Sequence, residues 1–127
     1  MFQSNRTFKI WEYRVSHQQL LVRSPRAPEV ATNIDLVFWG VKAIKLETIV
    51  KGVDIAPDNS NVSDDALAKY IENGYTKFVL DGKGSYVIAS GMKVLENEMD
   101  IFESSLTSFN DNETPDIGRV LVQSVAS

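Results

Sequence analysis

His17 is the only histidine in the chain. Imidazole is the side chain whose unperturbed pKa lets it exchange protons near neutrality. To act as a base it needs a nucleophile or an orienting carboxylate beside it. The densest run of carboxylates is Glu96, Glu98, Asp100 and Glu103. Two such groups in unlike surroundings could divide the acid and base roles of a hydrolytic site. Each feature also has a plainer reading. His17 follows Ser16 in a stretch that suits a turn, and acidic residues suit a helix start through the helix dipole. The plainer readings outweigh catalysis, so the chain reads as non-enzymatic, with His17, Glu96 and Asp100 as the candidate polar site.

Two further motifs resolve the same way. Gly82-Lys83-Gly84-Ser85 suggests a phosphate loop, but that loop needs a longer spacer and a following helix. Here both flanks read as strand, and a tight hairpin turn wants the same glycines. The run from Asp58 to Asp65 is rich in oxygen donors, yet counting from Asp58 a calcium loop would place Val62, Ser63 and Lys69 at positions that need a donor, a glycine and a glutamate. With one histidine and no cysteine, zinc would have only carboxylates to complete its shell. No metal and no cofactor are expected.

Aromatic residues give the stronger pattern. In Thr7–Val15, Phe8 and Ile10 point to one face while Trp11, Tyr13 and Val15 point to the other, so the apolar set changes sides after Ile10. A bulge at that point, or a strand covered on both faces, explains the change. Trp39, beside Gly40, faces away from Ile34, Leu36 and Phe38. Trp11, Tyr13 and Trp39 are therefore the candidate interaction residues, because exposed tryptophan and tyrosine anchor interfaces. Lys9, Arg14, Arg23 and Arg26 among these rings suggest stacking on single-stranded nucleic acid. The net charge of −4 argues against it, since phosphates repel an acidic chain.

Composition bounds the rest. A chain of 127 residues with 43% hydrophobic and 24% charged residues can bury one core, so residues 1–127 read as a single domain. Without cysteine there is no disulfide framework. The N-terminus lacks the apolar run of a secretory signal, and Leu36–Val41 is far short of the roughly 18 apolar residues of a membrane helix. A cytoplasmic protein without a membrane partner is the expectation.

The elements that must position these residues follow from pattern. Strands are expected at 7–15, 19–23, 33–39 and 41–50, with turns at Ser16–Gln18 and Lys51–Gly52. Ser63–Asn73 reads as a helix capped by Ser63 and stopped at Gly74. Tyr75–Leu80 and Ser85–Ser90 read as a hairpin, and Met92–Leu95 and Arg119–Val125 as further strands. Met99, Phe102, Leu106 and Phe109 recur at helical spacing, which predicts a second helix from Asn97. The sum is an α+β fold, a mainly antiparallel sheet of about six to eight strands with two short helices. The alternative is a small β-barrel or sandwich with helical decoration. Ile34, Leu36, Phe38, Ile44, Leu46, Phe78, Leu80, Tyr86 and Ile88 are the expected core of the sheet.

The function this supports is a protein-interaction or accessory domain that uses an exposed aromatic face to bind a protein partner or itself as a homodimer. A small-ligand or hydrolytic domain using His17 or the acidic cluster 96–103 is the alternative. Nucleic-acid binding by the N-terminal strands is the weaker one.

Overall fold

In the computed structural model, which describes residues 1–60, 62–106 and 117–125, the aromatic and β-branched N-terminal run forms β1 (Phe2–Arg14). A turn at Ser16–Gln18 leads to β2 (Gln19–Ser24), and β3 (Asn33–Trp39) follows the proline-bearing connection. Then come β4 (Ala43–Lys45), β5 (Ile49–Pro57), helix α1 (Asp65–Glu72), β6 (Thr76–Val79), β7 (Tyr86–Ala89), β8 (Gly91–Asn97) and β9 (Arg119–Val125). Every pairing is antiparallel, in the order β4-β7-β6-β5-β1-β2-β3-β8-β9.

That order closes on itself. β3 runs through a bend at Gly40 into β4, and β7 runs through Ser90 into β8. β3 pairs with β8 and β4 with β7, so the two bent strands stay together along both arms. Ser90 N donates to Trp39 O (3.0 Å) and Lys42 N to Ile88 O (2.8 Å), which carries the pairing across the bend. Because β7 also pairs with β6, and β6 with β5, the strands form a ring with β9 outside it on β8. The ring encloses Phe8, Leu20, Val22, Leu36, Phe38, Phe78, Val87 and Met92.

Two bulges make the apolar pattern fit this ring. Between Ile10 and Glu12 the β1–β2 register shifts, which puts Trp11 with the outer cluster of Leu21, Val37, Leu95 and Leu106 while Phe8 and Ile10 face inward. In β5, Val50 and Val53 are three apart yet both line the core. The register shift opposite Ser4–Thr7, with Gly52 at φ +76°, permits this. Lys51–Gly52 is thus a bulge within a strand, where a turn was expected.

The expected α+β fold with six to eight strands and two helices is corrected: the described residues hold nine strands and one α-helix. The helix missing from the expected pair is the one from Asn97. Residues 98–106 carry only a turn at 101–102, and Phe109 lies outside the described residues. The cause is local competition. Side chains of Asn97, Asp100 and Ser104 accept from the amides of Met99, Phe102 and Leu106, two residues on (3.2, 2.8 and 3.1 Å). Meanwhile the carbonyls of Met99, Glu103 and Leu106 accept from Asn33, Arg23 and Arg14 of the sheet. A helix would need those same amides and carbonyls for itself. Two smaller differences follow. Asp64, rather than Ser63, caps α1, accepting from Ala66 N at 2.8 Å. β4 is a short strand beyond the Gly40 bend and leaves Ile44 43% exposed, outside the expected core.

Candidate functional site

The β1–β2 turn is the most constrained exposed feature. His17 and Gln18 are consecutive non-glycine residues in the left-handed region, at φ 59° and 49°. Each such residue costs about 1–2 kcal/mol relative to ordinary backbone, so the surroundings must hold it there. The bend after β3 does so. Gly40 N donates to His17 O (3.2 Å), Val41 N to Gln18 O (3.0 Å), and Lys42 Nζ to Gln18 Oε1 (3.1 Å). Gly40 itself sits at φ +61°, and a Cβ there would come within 2.3 Å of Ser90 Oγ. The turn and the bend therefore fix each other. On this framework Tyr13 is 47% exposed and Val15 84% exposed. Trp39, next to the bend, is half-buried, and its ring covers Gly91, where an added Cβ would meet Cζ2 at 2.4 Å.

Tyr13, His17 and Trp39 lie toward one end of the ring but not on one face: Tyr13 pairs across from inward-facing Leu20, while the Trp39 ring lies outward over Gly91 of β8. Glu96 and Asp100 do not join them. Glu96 pairs across from Ile34, at the other end of β3, about 17 Å from Trp39 at ~3.3 Å per residue. Its carboxylate accepts from Arg119 Nη2 (2.8 Å) and Thr32 Oγ1 (3.1 Å). Asp100 is exposed and caps Phe102 N. No acid–base pair between His17 and the acidic cluster is formed by this arrangement. Asp81 Oδ1 accepts from Lys83 N (2.9 Å) and Ser85 N (3.2 Å), which makes 81–85 a closed hairpin turn. In the oxygen-rich loop, the Ser60 hydroxyl and amide on Asp58 hold its carboxyl below the usual range. Among the described residues no group of three or more His, Asp or Glu side chains is placed to hold a metal ion.

Trp11 is covered within its own chain. It packs on the outer cluster, and the Arg23 guanidinium lies 5.4 Å from its ring centroid. Beneath it is a buried polar layer that strand alternation did not reveal. Arg23 grips Asp35 with two hydrogen bonds, Nε to Oδ1 (2.6 Å) and Nη2 to Oδ2 (2.9 Å), and both side chains are 0% exposed. Arg23 Nη1 also donates to Glu103 O (2.9 Å). Asn97 Nδ2 donates to Asp35 Oδ2 (2.9 Å), and Asn33 Nδ2 to Asn97 Oδ1 (2.8 Å). Each charge has a partner and several neutral groups around it, the condition under which buried ions are tolerated. The layer holds residues 97–106 against the sheet; it is closed rather than poised for chemistry.

Two more of the basic N-terminal residues are engaged in the same manner, while Lys9 and Arg26 are exposed. Arg6 donates to Ser24 Oγ (3.0 Å), Ser24 O (3.0 Å) and Thr32 O (2.7 Å), and partial burial lowers its pKa. Arg14 donates to Leu106 O (3.1 Å) and faces Glu12 at 3.3 Å. Ser104 Oγ donates to Glu12 in turn. Arg6, Arg14 and Arg23 are internal clamps.

No helix among the described residues is long and apolar enough to cross a membrane. No protein-family model, curated protein or solved structure matches the chain.

Proposed function

We propose that this chain is a non-enzymatic cytoplasmic interaction domain that docks through the aromatic end of its ring, in the simplest case onto a second copy of itself. The observation that carries this reading is the pair of left-handed residues His17 and Gln18. Backbone strain persists only where the structure over-determines it, and it clusters at functional sites. Here it fixes a turn that presents Tyr13 and Val15 to solvent. A preorganised aromatic and aliphatic anchor loses little freedom on docking, and such residues carry much of the energy of interfaces.

Light scattering across micromolar concentrations tests it. Wild type is expected to gain mass with concentration, and a Tyr13→Ser/Val15→Asp variant to stay monomeric with an unchanged urea midpoint. Both positions are exposed, so their replacement should shift stability by no more than about 0.5 kcal/mol. A wild type that is monomeric throughout, or a variant that associates equally well, overturns docking between copies at this end.

A further inference from the structure

The ring has a gap in its backbone pairing, away from the turn just described. Ile49, Val50 and Lys51 pair with β1 on one side. On the other side, β5 meets β6 through Ala56 and Pro57, with flanking bonds from Asp54 N to Leu80 O (2.8 Å) and from Asp58 N to Lys77 O (2.8 Å). Beyond Leu80 the chain turns away at 81–84, so nothing in the described ladder pairs with that side of Ile49–Lys51. The direction of the free groups follows from the ladder. Ile10 N donates to Thr48 O (3.0 Å), so Thr48 and, two residues on, Val50 direct their N–H and C=O at β1. By alternation, Ile49 and Lys51 direct theirs into the gap.

A groove of about 430 Å³ occupies this gap, lined by Glu47, Ile49, Val50, Lys51, Asp81, Lys83 and Ser85. Val50 gives it an apolar floor and Ile49, 49% exposed, an apolar wall. Its cations are Lys51 and Lys83, neither of which is in an ion pair among the described residues. Of the two acids, Asp81 already accepts two amides of the hairpin turn. Glu47 lies before Ile49, so negative charge on an occupant is favoured toward Lys51 and Lys83 and disfavoured at the Glu47 end.

We infer that the open edge of β5 at Ile49–Lys51 takes up a short, extended acidic peptide as an added strand. Three residues of edge span about 10 Å at ~3.3 Å each, room for a segment of three or four residues. Backbone groups of Ile49 and Lys51 supply the hydrogen bonds of strand addition, and alternate side chains of the guest meet Val50 or the lysines. Carboxylates on the guest pair with Lys51 and Lys83.

The test is an amide-resolved NMR titration of the full chain with acetyl-Glu-Val-Glu-Val-amide. Two controls accompany it: the same peptide N-methylated at its valines, and acetyl-Lys-Val-Lys-Val-amide. In the free protein the Ile49 and Lys51 amides are expected to exchange with solvent faster than Val50. The acidic peptide should shift them saturably and slow their exchange. N-methylation should abolish binding, and Lys51→Glu/Lys83→Glu should weaken it at least about tenfold while leaving spectral dispersion intact. Exchange at Ile49 as slow as at Val50, no saturable shift at millimolar peptide, equal binding of the lysine peptide, or binding that survives N-methylation each overturns the inference. None of these outcomes bears on self-association through Tyr13 and Val15, which is read separately by mass.

Discussion

The buried parts of the two surfaces of β2, β3 and β8 are chemically opposite. The surface facing the ring carries Leu20, Val22, Ile34, Leu36, Phe38, Met92 and Val94, all apolar. The outward surface carries Leu21, Val37 and Leu95 together with Arg23, Asp35, Asn33 and Asn97, and Arg23 and Asp35 are as fully buried as Leu36. Apolar burial is non-directional, so the inner surface is satisfied by any close packing of about the right volume. The outer one is directional. Its ions are tolerated only while each donor meets its acceptor, and that requirement admits one placement of residues 97–106. The inner surface supplies the driving force for the fold; the outer one specifies how the covering segment lies.

Breaking the outer pair should have the largest effect. Asp35→Ala leaves the Arg23 guanidinium buried with its bidentate partner gone, and a loss of about 3–5 kcal/mol in urea unfolding is expected. Arg23→Met/Asp35→Leu, which removes both charges, should recover most of that loss. A loss under about 1 kcal/mol for Asp35→Ala would mean the pair is solvated, and the contrast between the surfaces would fail.

Leu36→Ala tests the inner surface, with an expected loss of about 2–5 kcal/mol for a side chain that is 0% exposed. The two variants should also differ in kind. Asp35→Ala frees Arg23 from its hold on Glu103 O and Trp11, so indole fluorescence should change in the folded state. Leu36→Ala should leave the folded-state emission close to wild type, because Leu36 belongs to the inner cluster and Trp11 to the outer one. Equal changes in both would show that the two layers are coupled.

Sequence pattern carried the inner surface well, because period-two alternation reports directly which side of a strand is apolar. Ile34, Leu36 and Phe38 are buried as their spacing implies, and Tyr75–Leu80 with Ser85–Ser90 forms the antiparallel hairpin around Asp81–Gly84. The side change after Ile10 is the register shift at Trp11. Alternation failed on the outer surface because it equates polar with exposed, which holds only for an uncovered face. The cover is residues 97–106, more than sixty positions after Asp35, and their helical spacing concealed it. A signal was present in Leu21, Val37 and Leu95: apolar residues on the polar side of each of three strands, with opposite charges at Arg23 and Asp35. The turn at His17 was legible as a turn, whereas its left-handed backbone depends on Gly40 and Val41, which lie more than twenty residues away. Tyr13, His17 and Trp39 could not be grouped from sequence for the same reason.

The smallest expected effect comes from Lys93, the one cation in the middle of the outward surface of β8. It stands in register between Val37, which is 3% exposed, and Gln123 of β9. Burial lowers its pKa below the usual lysine value, and no ion pair among the described residues offsets this. A lowered folded-state pKa means that the folded chain binds fewer protons than the unfolded chain between the lowered and the ordinary value. Stability therefore rises with pH through that alkaline window, and the penalty is fully present below it. Lys93→Met keeps the unbranched stem and removes the charge. It should stabilise the protein by at most about 0.5 kcal/mol at neutral pH, the ordinary range for partly exposed positions. The gain should shrink toward zero as pH rises through the window, and the difference between variant and wild-type urea midpoints isolates it from the other lysines and the tyrosines. A difference that stays constant with pH would show that Lys93 is solvated in the folded state. The outer surface would then carry its charge burden in the Arg23–Asp35 layer, with the β8–β9 side open to water.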